Sequence, residues 1–233
     1  MNIDTNEKLV RRNARIAQVT MIGGLLVLAG GMYISFRVPE QFGLSMLALL
    51  LGFTLSQIGI YFSNRWGRRP RPDEQINQAL KGLDSRYTVF HYKKPASHIL
   101  VGPAGVWVLL PEHQRGRITF EKGRWRQHGG NLYMKIFAQE SLGRPDLEVM
   151  ADKENMARFI TPLFEEGDKI PPVQAALVFT NPKVEIEVPE EAEAPAETVA
   201  IGKLKDLVRK KAKERSLSLD KVKEITQALE ETR

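Results

Sequence analysis

The sequence predicts a two-helix transmembrane hairpin followed by an α/β domain in which helices flank a mixed sheet. Three observations carry this. Ile16 to Phe36 is a run of 21 residues without a formal charge, and Gly43 to Asn64 is a second of 22. Between them lies the six-residue connector Arg37-Val-Pro-Glu-Gln-Phe42. Beyond Asp73 the pattern changes to short apolar runs separated by turn residues and amphipathic segments.

A membrane-spanning helix needs roughly 20 apolar residues at about 1.5 Å each, so both runs are long enough. A short connector with a helix-breaking proline turns the second helix back on the first. Basic residues set the orientation. Lys8, Arg11, Arg12 and Arg15 precede the first span, and Arg65, Arg68, Arg69 and Arg71 follow the second. The connector holds only Arg37, balanced by Glu40. The positive-inside rule then places both termini in the cytoplasm, at a cell (inner) membrane, with Tyr61 and Trp66 at the interface. A cleaved signal peptide ending at Val27-Leu-Ala29 is disfavoured, because the apolar run continues past that point and a second span follows. Two uncharged runs of this length also argue against helices buried in a soluble protein.

In the second span Ala48, Gly52 and Ser56 recur every four residues, a ladder that lets a neighbouring helix approach closely and could serve self-association. Gln57 is the one strongly polar side chain there. Two spans with no intramembrane charge argue against a channel or transporter.

The organisation read from the chain is a basic N-terminus over 1–15, the hairpin over 16–64 (spans 16–36 and 43–64), a basic linker over 65–72 and a cytoplasmic domain over 73–233. In that domain, Asp73–Leu80 reads as a helix with acidic residues at its positive end. Tyr87–Tyr92, His98–Gly102, Val106–Leu110, Arg117–Phe120 and Arg124–Gln127 read as strands. The continuous apolar runs among them predict a sheet covered on both faces. A helix over about 146–165, a strand over Val173–Thr180, a short strand near Thr198–Ile201 and helices over about 203–214 and 219–231 complete the set. Residues 185–197 hold six glutamates, two prolines and no basic residue, and read as a solvated, disordered loop.

The absence of cysteine excludes disulfides, thiolate metal sites and cysteine nucleophiles. His91, His98, His113 and His128 are too scattered for a metal motif, and His98 reads as a satisfied core side chain. The net charge of +6 suits an anionic neighbour. Seven basic and two acidic residues fall within 203–215, so Lys203, Lys205, Arg209, Lys210, Lys211, Lys213 and Arg215 are candidates for anionic lipid headgroups or nucleic acid phosphates. Trp107 and Trp125 could stack on bases but read as core or sheet-edge residues.

The stretch from His98 to Gly116 resembles the central motif of the nuclease-related domain (NERD) family, and the order of elements over about 73–230 agrees with it. The resemblance implies a restriction-endonuclease-like fold. It also implies a metal site: an aspartate before the histidine, and a Glu-x-Lys beginning twelve residues beyond it. Two carboxylates would fix Mg²⁺ beside the scissile phosphate, and the lysine would help generate the attacking water. Here those positions are Ser97, Leu110 and Glu112, and Glu148 stands where the family has a glutamine. Serine and leucine cannot replace two carboxylates, and glutamate reverses the lysine's charge. The resemblance therefore implies a degenerate domain, needing no cofactor, that acts by binding as a scaffold or regulator. Two alternatives stand beside it: a Mg²⁺-dependent nuclease with a relocated site at Glu74, Asp84 and Glu112, and a nucleic-acid tether without chemistry.

Overall fold

The computed structural model describes residues 1–129, 137, 141–165, 170–189, 191–214 and 216–232. They form two compact units. One is built from Met1–Asn6 and the chain from Pro72 onward, apart from a short stretch containing Phe137; the other is built on Glu7–Arg71.

The second unit is a helical hairpin. Helix α1 (Glu7–Arg37) and helix α2 (Phe42–Phe62) are joined by a single turn of 3-10 helix, Pro39–Gln41. The charged residues before Ile16 belong to the same continuous helix as the apolar run. Small residues lie on the seam: Ala17, Gly24 and Gly31 are buried on α1, and Ser45, Gly52 and Gly59 on α2. Each set repeats every seven residues, keeping one face of each helix toward its partner. The approach is close enough to need glycine. A Cβ on Gly52 would stand 2.9 Å from both the Gly24 carbonyl and the Leu28 amide, and one on Gly59 would stand 2.9 Å from the Met21 amide. Ser45 Oγ donates to the Gly31 carbonyl across the seam at 2.9 Å. Ala48, Gly52 and Ser56 face α1, with Ala48 beside Gly31 and Ser56 beside Gly24. The ladder expected to serve self-association is thus used inside the hairpin. Large side chains point outward: Leu26, Phe36, Leu47 and Leu50 are all more than half exposed. Only 11% and 17% of the most apolar windows of the two candidate spans are buried.

The first unit is a mixed sheet between two helical layers. Its strands are β1 (Asn2–Thr5), β2 (Thr88–Lys93), β3 (Ala96–Gly102), β4 (Gly105–Glu112), β7 (Gln174–Phe179) and β9 (Glu197–Ala200), in the order β1-β2-β3-β4-β7-β9. The β2–β3 and β3–β4 pairs are antiparallel; β1–β2, β4–β7 and β7–β9 are parallel. A smaller sheet has the order β6-β5-β8, from β5 (Gly116–Glu121), β6 (Arg124–His128) and β8 (Val184–Glu187).

Successive residues of a strand point to opposite faces. Ile99, Val101, Val108, Leu110, Leu177 and Phe179 therefore pack with α4 (Pro145–Ile160) and α6 (Leu219–Glu231), through Val149, Met156, Ile160, Val222, Ile225 and Leu229. On the other face Val89, Leu100, Trp107, Leu109, Ala176 and Val178 pack with α3 (Pro72–Leu80) and α5 (Leu204–Glu214), through Ile76, Leu80, Leu204 and Val208. This is the two-sided cover that the continuous apolar strands call for.

Two stretches differ from expectation. Residues 2–5, read as part of a basic N-terminal tail, form edge strand β1, and the Asn6 amide donates to the His91 carbonyl at 3.1 Å. Backbone pairing with β2 makes this strand, and an ion pair between Asp4 and Lys93 fastens it. The sheet domain thus includes residues before the hairpin as well as those from 72 onward. The segment 185–197, read as a solvated disordered loop, opens within β8, which pairs parallel with β5 from Gly116↔Val184 to Thr119↔Glu187. Ala196 is buried and Lys153 Nζ donates to the Pro195 carbonyl at 3.0 Å. The apolar residues between the glutamates, Ile186, Val188 and Ala194 among them, pack on the core, while Glu185, Glu187, Glu191 and Glu193 are exposed.

Candidate functional site

The positions that the family resemblance assigns to a metal lie on neighbouring strands. The β3–β4 ladder pairs Ile99 with Val108, and continuing that register by two residues sets Ser97 across from Leu110. Ser97 is exposed near the start of β3, whereas Leu110 is 5% exposed and packed in the core beneath α4. Glu112 ends β4, half-buried, with its backbone carbonyl accepting from the Thr180 amide at 2.7 Å. The geometry thus presents a hydroxyl, an isobutyl group and one carboxylate, which do not form a paired-carboxylate ligand set.

Glu148 and Asp152 stand one turn apart on α4, both half-buried. Asp152 is pushed up to about 6, first by burial and then by the charge of Glu148. The pair is therefore an acidic spot that holds a proton more readily than an ordinary aspartate.

The relocated-site candidates do not gather. Glu74 sits in the first turn of α3, a nine-residue helix about 13 Å long at roughly 1.5 Å per residue, and Asp84 lies beyond its far end. Asp84 is exposed and engaged by the Arg86 guanidinium at 2.6 Å, whose hydrogen bonds hold the carboxyl below its usual range. Among the described residues no three histidine, aspartate or glutamate side chains are set to hold one metal ion.

A buried polar cluster is the arrangement that sequence reasoning missed. His91 and His98 face each other across β2 and β3, are 0% and 3% exposed, and approach at 2.8 Å between their Nδ1 atoms. Asn77 Oδ1 lies 2.8 Å from His91 Nε2. With that carbonyl oxygen as acceptor, His91 carries its proton on Nε2 and accepts at Nδ1 from His98. Tyr92 takes φ +57 at the end of β2, sets its ring 4.9 Å from that of His98, and donates its hydroxyl to the buried Asp73 at 3.0 Å. Each imidazole thus has a partner, as the core reading of His98 requires. The partner is the other histidine. A hairpin centred on Lys94-Pro95 pairs residues 91 and 98, so the signal was the turn itself. The cluster joins the start of α3 to the strand that Asn6 also meets, so the chain leaves and re-enters this domain beside the same two residues, His91 and Tyr92.

The basic residues of 203–215 divide by use. Lys205 Nζ donates to the Lys81 carbonyl at 3.2 Å and an Arg209 Nη to the Gly82 carbonyl at 3.3 Å. These carbonyls follow the C-terminus of α3, the negative end of its dipole, where cations are favoured. Lys211 pairs with Glu197 at 3.0 Å and Glu214 at 3.4 Å. Lys203, Lys210 and Lys213 are exposed, and Arg215 lies outside the described residues. Trp107 and Trp125 are buried, donating to the Ala104 carbonyl and the Thr198 hydroxyl, so neither offers a face to a base.

No protein-family model, curated protein or solved structure matches this chain.

Proposed function

We propose that this protein is a membrane-anchored NERD-like domain that acts by binding, as a scaffold or regulator at the cytoplasmic face, rather than by hydrolysis. The observation that carries the anchor is the hairpin's inverted surface: glycines inside, and leucines and phenylalanines outside along both helices. In water such a surface would drive aggregation, whereas in hydrocarbon it costs nothing. The sheet domain supports one further step. It contributes β1 before the hairpin and α3 after it, and these meet adjacent residues of β2, so both hairpin ends belong on the side where the domain folds. The arginines that flank both spans favour the cytoplasm for that side.

The reading of binding without hydrolysis rests on Ser97, Leu110 and Glu112, since Leu110 fills with a buried isobutyl group the place where the family resemblance puts a carboxylate. The full chain, purified in detergent, is assayed for cleavage of DNA and RNA with Mg²⁺ or Mn²⁺, beside a Glu74→Ala/Glu112→Ala variant. The expected result is no cleavage by either. Cleavage by the native chain that disappears in the variant would establish a relocated nuclease site.

A further inference from the structure

Three arginines on α1 have no carboxylate partner among the described residues: Arg11, Arg12 and Arg15. With Ile16, Val19 and Thr20 their apolar stems border an open groove on the face of α1, and all three arginines are exposed. Few polar groups of this set are used locally. Thr20 Oγ1 donates to the Ile16 carbonyl at 2.7 Å, and Arg12 Nε donates to Asn13 Oδ1 at 3.3 Å. The remaining guanidinium N–H groups are free to meet an anion from outside.

The stripe below them is apolar. Residues 12, 15, 19, 22 and 26 are spaced three and four apart, so they lie along one face of the helix. Val19, Ile22 and Leu26 on that stripe are 64%, 60% and 68% exposed, and the face opposite α2 is theirs, because Ala17, Gly24 and Gly31 occupy the seam. From Arg15 to Leu26 the stripe runs about 16 Å at roughly 1.5 Å per residue. A cationic fork above an apolar track of that length has the two-part chemistry of a phospholipid. Guanidinium groups match phosphate oxygens in pairs, and the track accepts an acyl chain.

We propose that Arg11, Arg12 and Arg15 form a binding site for the phosphate of an anionic phospholipid, whose acyl chain lies along Val19, Ile22 and Leu26. The proposal rests on the membrane reading above and names a ligand for the hairpin's inner end. It differs from general attraction to an anionic surface in depending on these three guanidinium groups rather than on net charge.

The test reconstitutes the full chain into phosphatidylcholine vesicles containing a minor fraction of phosphatidylglycerol. It compares motional restriction of spin-labelled phosphatidylglycerol with that of spin-labelled phosphatidylcholine. Flotation on pure phosphatidylcholine vesicles is run in parallel to report insertion. The native chain should float and should select phosphatidylglycerol. The Arg11→Gln/Arg12→Gln/Arg15→Gln variant should still float but lose the selectivity by about tenfold, and the corresponding triple lysine variant should keep part of it. Lys203→Gln/Lys210→Gln/Lys213→Gln, which removes the same charge from α5 and the turn before it, should leave selectivity unchanged. Equal loss in that variant, or no loss in the arginine variant, would overturn the site. Abolition by excess inorganic phosphate would assign the pocket to a free anion and overturn the lipid. A native chain that fails to float would instead overturn the membrane reading beneath the proposal.

Discussion

The hairpin and the sheet domain use the same residue types in opposite ways. In the sheet domain the largest apolar side chains are inside: Trp107, Phe90, Phe179 and Leu109 are essentially unexposed. In the hairpin the large side chains are outside and the seam belongs to glycine, alanine and serine. Burial in the first is driven by removing apolar area from water. In the second, close backbone contact and dispersion hold the helices together, as expected where the surroundings are themselves apolar.

Substitutions can break this contrast. The largest effect is expected for Trp107→Ala, which leaves a cavity between the sheet and α3. Loss of about 3–5 kcal/mol should appear as a lowered denaturant midpoint of the full chain in detergent. Next comes Leu50→Asp. The position is 59% exposed, so in a water-soluble protein the change would be nearly neutral. In a bilayer it should cost about 3 kcal/mol of insertion, read as loss of the chain from the membrane fraction. Gly52→Leu should then force the hairpin open, because its Cβ alone would meet two backbone atoms at 2.9 Å. A cost of about 1–3 kcal/mol is expected, with a longer distance between spin labels at Leu26 and Leu50, and the sheet domain's near-UV circular dichroism unchanged.

The smallest effect sharpens the contrast from the aqueous side. Asp152 titrates near 6 because burial and Glu148 disfavour its charge. The folded form therefore holds its proton more tightly than the unfolded form, and stability falls as pH rises from about 4 to about 6. Asp152→Asn should raise the melting temperature at pH 7 by a few degrees at most, since the group is partly solvated, and should make no difference at pH 4. An equal shift at both pH values would mean that packing rather than charge is responsible.

Much of this architecture is legible in the chain because one dominant period governs each element. Uncharged runs mark α1 and α2, and continuous apolar runs mark β3, β4 and β7. What escapes notice depends on partners far away in sequence. Strand β1 has a single large apolar residue, Ile3, which is half exposed, so no local pattern announces it; its existence depends on β2, more than eighty residues later. The glutamates of 185–197 conceal Ile186 and Val188, whose packing needs a core that local composition does not reveal. The ladder Ala48, Gly52 and Ser56 shows that a helix comes close without saying whose. Ser97 and Leu110 could be singled out because they interrupt a motif, and the burial of position 110 explains why a leucine is tolerated there. The histidine pair needed the strand register, which the Lys94-Pro95 turn supplies. For the basic residues of α5 the sequence shows charge only, and the carbonyls at the end of α3 decide that two of them are used within the fold.

On the function proposed above, the hairpin crosses a membrane and residues before and after it face the cytoplasm. The chain has no native cysteine, so single-cysteine variants report position without background. Glu40→Cys in the connector, Ser85→Cys in the sheet domain and Ser216→Cys near the C-terminus are each exposed to a membrane-impermeant maleimide in right-side-out and inside-out vesicles. Labelling is expected at position 40 only in right-side-out vesicles, and at 85 and 216 only in inside-out ones. Labelling of all three from the same side, or release of the chain by alkaline carbonate, would contradict it.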